Sequence, residues 1–224
     1  MPETLSIAVC VSDEVTLSDF VPPMEILAGM NQADHPVIGK GMGEVPYRVA
    51  IEYLAPTMDP VVAIQGPVAP TFNPTMTYKA ALTSGKQFDI LWVPAGEASR
   101  IPEDEIAFLK AQAPKARYVA SVCAGSYQLA IAGILSGKRA TTNKSLFRAI
   151  EAITPKDIEW VAKARWVVDG NVWTSSGVAA GADMALALFE QLSNAHAARH
   201  IRGVVEIPEV TQIDDPFAAF HGLV

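Results

Sequence analysis

Short β-like runs and helix-spaced segments alternate along almost the whole chain, and no other pattern in it restricts the fold as strongly. Residues 5–11 form an apolar, partly alternating run and residues 47–54 a second. Residues 90–93 are a continuous apolar run stopped by Pro94, and 118–122 follow as another. Residues 19–30, 103–113, 124–132 and 179–192 carry their apolar side chains at helical spacing instead. Strands that alternate with helices pair in parallel and need helices over both faces. The expectation is therefore an α/β fold, a mostly parallel central sheet sandwiched by helices in flavodoxin-like layers. Late in the chain, 166–168 and 172–174 flank Asp169-Gly170-Asn171, which signals a hairpin.

Length and charge narrow the function. The 224 residues predict a single domain over 1–224, with 208–224 as a C-terminal tail that wraps the domain or reaches a partner subunit. Seventeen Lys and Arg against 24 Asp and Glu leave a net charge of −7. Phosphate contacts need a concentrated basic surface, so nucleic acid is not an expected partner. No apolar run approaches the roughly 18 residues that a membrane helix needs, and the first residues lack a signal-peptide pattern. The two cysteines, Cys10 and Cys123, are too few for a disulfide framework, so a reduced, cytoplasmic setting is expected.

Most of the remaining features read as structure. Residues 32–46 predict a connecting loop, flexible at the glycines of 39–43, which lack the spacing of a dinucleotide fingerprint. Residues 56–74 predict a small hairpin excursion on the main sheet. Residues 133–139 fall one residue short of a phosphate loop and instead close a helix and feed a strand. His196 and His200 lack the intervening acid of a zinc motif and read as surface histidines on a helix. Asp104, Glu105, Asp214 and Asp215 read as solvated charges, and Trp92, Trp160, Trp166 and Trp173 as core.

Cys123 is different. A β-run ends at this residue and a helical pattern starts at once, which is the layout of a nucleophile elbow. Such a tight turn needs small residues two positions either side, and Ser121 and Gly125 supply them. The turn would also set the sulfur at a helix N-terminus, where N–H groups and the dipole favour a thiolate. A buried, inert thiol is the alternative, and it remains the reading for Cys10.

Residues 121–142 resemble the cysteine elbow and following helix of the ThiJ/PfpI superfamily, relatives of class I glutamine amidotransferases. Residues 88–96 are similar to that family's strand ending in Pro-Gly-Gly, with Ala95 in place of the first glycine. Residues 18–27 resemble the segment carrying an acid beside the thiol. Residues 169–183 resemble the late hairpin and helix of the isocyanide hydratase branch, and 205–208 its closing stretch. The resemblance implies Cys123 as nucleophile and Asp19 as the acid beside it, sharing a proton with the thiol so that the carboxyl pKa rises. Without it, Asp19 reads as a helix N-terminal residue. Gly96 and the Ala124 N–H are implied as an oxyanion-type pocket, and Gly177 and Val178 as part of the substrate wall. A homodimer and no metal or organic cofactor are implied as well.

Two further positions depart from the family pattern. Asn143 stands where amidotransferases and glyoxalase-like members carry histidine, and an amide cannot take up a proton near neutrality. Asn143 remains able to orient a substrate by hydrogen bonding. Ala124 stands where the hydratases carry threonine. The expected function is a cysteine-dependent enzyme acting on a small-molecule electrophile, an isocyanide hydratase-like lyase. A cysteine-dependent lyase or hydrolase on a specialised metabolite is one alternative. A redox-sensing or stress-protective protein, using a low-pKa exposed thiol, is another.

Overall fold

The computed structural model describes residues 1–64 and 70–224. The strands are β1 Glu3–Cys10, β2 Tyr47–Ala55, β3 Val61–Val62, β4 Thr71–Phe72, β5 Met76–Thr77 and β6 Ile90–Val93. They continue with β7 Tyr118–Ser121, β8 Arg139–Ala140, β9 Glu159–Trp160, β10 Trp166–Asp169 and β11 Val172–Ser175. The helices are α1 Val21–Ala28, α2 Tyr78–Ser84, α3 Glu103–Gln112, α4 Gly125–Ile131, α5 Phe147–Ile153, α6 Val178–Leu192, α7 Ala195–Val205 and α8 Phe217–Phe220.

Seven strands form the main sheet in the order β10-β11-β7-β6-β1-β2-β5. Every pairing in it is parallel except β10 with β11, the hairpin expected around Asp169-Gly170-Asn171. In β1 successive side chains point to opposite faces, and both faces are buried. Leu5, Ile7 and Val9 join Phe20, Met24, Leu27, Leu188, Phe189 and Ile201 in the core under α1, α6 and α7. Ala8 and Cys10 join Tyr78, Phe88, Phe108, Leu109 and Leu129 in the core under α2, α3 and α4. The four tryptophans are core: Trp92, Trp166 and Trp173 are buried in one cluster, and Trp160 packs partly buried against the other.

Strand order reverses at β1, with β2 on one side and β6 on the other. In open α/β sheets such a reversal leaves a crevice outside the carboxyl ends of the strands. The segments after β1, β6 and β7 carry Asp19, Gly96 and Cys123 to that end.

Several expectations need correction. The excursion at 56–74 is the antiparallel pair β3–β4, a two-stranded sheet of its own and not part of the main one; its residues 65–69 lie outside the described ones. The glycines of 39–43 do not form a loose loop. Gly39–Gly41 is a 3-10 turn and Met42 is fully buried. A Cβ on Gly41 would lie 2.3 Å from the His200 ring. His200 is accordingly no surface histidine: its Nε2 meets the Ile38 carbonyl oxygen at 2.7 Å and ties α7 to this turn.

Glu105 and Asp215 are not solvated. Asp215 is buried in an ion pair with Lys144. Glu105 is fully buried beneath the sheet, where Gln128 Nε2 donates to it at 3.4 Å, and Cys10 and Tyr78 lie close by. Burial pushes its carboxyl up to about 8, against a Gln128 hydrogen bond that pulls it down. In the unfolded chain the same group ionises near 4.5. Its raised folded pKa therefore contributes stability in full below about pH 4.5, and that contribution is lost as pH rises to about 8. Glu105→Gln keeps the shape and removes the titration. Thermal melts at pH 5 and pH 8 are expected to show a smaller loss of Tm with pH in the variant than in the parent chain.

Candidate active site

β7 ends at Ser121, and the chain turns through Val122, Cys123 and Ala124 before α4 begins. Cys123 adopts φ +59°, a left-handed conformation that a side chain occupies only when its surroundings enforce it. Three contacts enforce it here. The Cys123 N–H donates to the Ser176 carbonyl at 2.7 Å. The Thr142 and Ser126 hydroxyls donate to the Cys123 carbonyl at 3.0 and 3.3 Å. A Cβ on Gly125 would sit 2.1 Å from the Val93 carbonyl oxygen, so only glycine lets α4 start this close to β6. Ser121, the other flanking residue, is fully buried. The elbow expected from the sequence is present with its strain.

Asp19 closes a 3-10 turn, Leu17–Asp19, just before α1. Its side chain is wholly buried, and its Oδ2 accepts from the Ala95 N–H at 3.1 Å. Its Oδ1 is buried with no hydrogen-bond partner among the described residues. Trp92 Nε1 donates to the Asp19 backbone carbonyl at 2.9 Å and fixes the turn against the sheet. Gly96, next to Ala95, is packed so tightly that a Cβ there would lie 2.1 Å from Ser12 Oγ.

Asn143 lies closer to the chemistry than a substrate-orienting role requires. Its Nδ2 donates to the Cys123 sulfur at 3.2 Å. Its Oδ1 accepts from Ser145 N–H at 2.9 Å and from Ser145 Oγ at 2.6 Å, which fixes which end of the amide faces the thiol. The Ala124 N–H also donates to the sulfur. Gly177 lies beside this amide, where a Cβ would stand 3.5 Å from Nδ2, an ordinary contact distance. Val178 is exposed, and with Asn143 and Gly177 it lines a cavity of about 280 Å³.

Burial, and then the Asp19 charge, push the Cys123 thiol up to about 12, while the Ala124 and Asn143 donors pull it down. Burial likewise pushes Asp19 up to about 7, against the Ala95 hydrogen bond. The raised carboxyl was expected, but desolvation is its main cause. The helix terminus does not make the thiol acidic, because desolvation outweighs the two donors. Between about pH 7 and 12 the two groups together hold one proton. Placed on the carboxyl, that proton leaves a thiolate facing two N–H donors.

The structure thus gathers Cys123, Asp19, Ala124 and Asn143 around one sulfur, with Gly177 and Val178 on the adjoining wall and Gly96 beside the loop that holds Asp19. Sequence reasoning missed Ser145, Lys144 and Asp215. Only the position of Ser145, two residues after Asn143, gave a signal, as the spacing of an Asx turn. Among the described residues no group of three or more His, Cys, Asp or Glu side chains is placed to hold a metal, and no helix is long and apolar enough to cross a membrane.

A doubly wound α/β domain, with a strained cysteine at a strand-to-helix turn and a buried carboxyl beside it, defines the class. The chain belongs to the DJ-1/PfpI family, whose model matches residues 5–191. It is 39% identical over 132 residues to an isonitrile hydratase of Pseudomonas putida, across 56% of this chain and 55% of that protein. A deglycase of Pyrococcus horikoshii is 34% identical over 98 residues, 42% of this chain and 56% of the other. An HTH-type transcriptional regulator of Pseudomonas aeruginosa is 33% identical over 88 residues, 39% of this chain and 23% of its own length. The chain therefore spans about half the length of the hydratase and deglycase, and less of the regulator. Among solved structures, a ThiJ/PfpI family protein from Pseudomonas syringae superposes with a TM-score of 0.69 at 26% identity, covering 96% of this chain and 78% of that one.

Proposed function

We propose that the protein hydrates a small isocyanide at Cys123, yielding an N-substituted formamide. The observation that carries this reading is the sulfur's environment: the buried Asp19 carboxyl, whose charge acts on the thiol, and an amide donor where a base would otherwise stand. In R–N≡C the terminal carbon is both the electrophile and the atom that must receive a proton. The thiolate adds there, the C–S bond forms, and Asp19 delivers the proton to the same carbon, giving a thioimidate, R–N=CH–S–Cys123. Water then adds to that carbon with Asp19 as base, a proton reaches nitrogen, and the C–S bond breaks. R–NH–CHO leaves, and the proton returns to the pair. Asn143 and Ala124 hold the sulfur lone pairs in place and accept no proton at any step.

The similarity to the isonitrile hydratase supports the substrate. Ala124 offers the sulfur no side-chain hydroxyl, and Asn143 supplies a side-chain donor to it instead. A deglycase reaction is less well served, because Asn143 cannot relay a proton. A peroxide sensor is less well served, because its thiol needs to be open to solvent and Cys123 is only partly exposed. A homodimer in the cytoplasm belongs to the same proposal.

Incubating the protein with cyclohexyl isocyanide and following N-cyclohexylformamide by mass spectrometry tests it. Formamide formed in proportion to protein, and absent after Cys123 is alkylated, is expected. Absence of formamide from unmodified protein ends the hydratase reading.

A further inference from the structure

Residues 208–224 lie beyond the segment shared with the family, 5–191, yet they close one side of the cavity that Asn143 borders. The Arg165 N–H donates to the Gln212 carbonyl at 2.7 Å. Lys144 Nζ lies 3.3 Å from Asp215, and Arg148 donates to the Gly222 carbonyl at 2.5 Å. Ala218, inside α8, is fully buried. These contacts seat α8 on the domain. They bring Phe217 and His221, four residues apart and so on one side of the turn, into the cavity wall that Gly177 and Val178 also line.

The wall's permanent charges are already neutralised. Lys144 is paired with Asp215, and Arg165 Nη2 lies 2.6 Å from Asp183. An ionised substituent would lose its hydration and find neither Lys144 nor Arg165 free to pair with it. Size sets a second limit. A cavity of about 150 Å³ holds benzene, so the 280 Å³ here suits one ring with a few further atoms.

We propose that Phe217 and His221 are specificity-determining residues of the Cys123 site, and that the cavity they wall takes the substituent of a compact, uncharged electrophile. The proposal rests on Cys123 being the reacting atom, as the proposed function has it, but not on the electrophile being an isocyanide. Asn143 is the link, since it touches the sulfur and forms part of the cavity wall.

Alkylation of Cys123 reads this wall directly. The parent chain, Phe217→Ala and Phe217→Trp would be treated with iodoacetamide, its N-benzyl derivative and its N-carboxymethyl derivative, and Cys123 modification timed by peptide mass spectrometry. Phe217→Ala is expected to raise the benzyl-to-parent rate ratio about ten-fold and Phe217→Trp to lower it. The carboxymethyl reagent is expected to stay the slowest in all three proteins. Equal ratios in all three proteins, a ratio that falls in Phe217→Ala, or a carboxylate reagent as fast as the neutral ones overturns the proposal. Phe217 is half-exposed, so its replacement spares the core; should its melting point fall, His221→Ala repeats the test. Shifted ratios without any formamide from the parent chain leave the wall standing and end the hydratase reading. Formamide with unshifted ratios does the reverse.

Discussion

Asp19→Asn is expected to lower kcat/KM for formamide formation by about 10²- to 10⁴-fold, the usual contribution of a positioned acid–base group. Cys123→Ala is expected to leave nothing above the uncatalysed rate, because no covalent intermediate forms. Asparagine copies the carboxylate in shape. Its carbonyl accepts from the Ala95 N–H as Oδ2 does, and its NH₂ takes the place of the unpartnered Oδ1. The variant therefore folds with its turn intact, and the loss reads as chemistry. Stopped kinetics over several isocyanide concentrations would place the effect on kcat more than on KM, since the proton moves during bond formation and not on binding. Loss through KM alone would mean that Asp19 only shapes the pocket.

Removing one partner of the Lys144–Asp215 pair is expected to cost about 3–5 kcal/mol of stability, because a buried charge is left without its counter-ion. Both side chains are almost wholly buried, with 1% of each exposed. The Lys144 ammonium also donates to Thr141 Oγ1 at 2.6 Å and to the Ala164 carbonyl at 2.8 Å. Burial pulls the Lys144 pKa down and Asp215 pulls it back up. With Asp215→Ala, the ammonium keeps only neutral acceptors, and the segment carrying α8 loses its central anchor. The double replacement Lys144→Met with Asp215→Leu is expected to recover most of the loss, since an apolar pair of similar size avoids desolvation altogether. Urea unfolding of both single variants and the double variant gives the coupling energy. Coupling near zero would mean that the segment is held by its backbone contacts alone.

The layering of this fold was legible because parallel strands buried on both faces read as apolar runs, and 90–93 coincides with β6. The elbow was legible for a related reason. Its geometry permits few residues, and glycine at 125 is demanded by the Val93 carbonyl. The unexpected features all depend on partners distant in sequence. Nothing local in Glu105 announces that it points under the sheet, for α3 begins with three successive acids and only this one faces inward. Asp215 reads as solvated beside Asp214, which does cap Thr211 at the surface. The Asn143–sulfur contact requires the segment after β8 to pass beside the elbow, where Thr142 donates to the Cys123 carbonyl, and no spacing rule predicts that. Burial also reversed the expected acidity of the thiol. A helix N-terminus is visible in sequence, whereas the desolvation that overrides it is not.

The claim on which the rest depends is that Cys123 and Asp19 share one proton across the neutral range. The rate of Cys123 alkylation by iodoacetamide, measured from pH 5 to pH 10 in the parent chain and in Asp19→Asn, tests it. Below about pH 7 both groups are protonated, and above it one proton is divided between them. The parent chain is expected to show a rate that rises through about pH 7 to a plateau, as the thiolate–carboxylic acid form becomes populated. In Asp19→Asn that limb should vanish, leaving the single ionisation of a buried thiol. The same pH profile in both proteins would contradict a shared proton and, with it, the role of Asp19 in the chemistry.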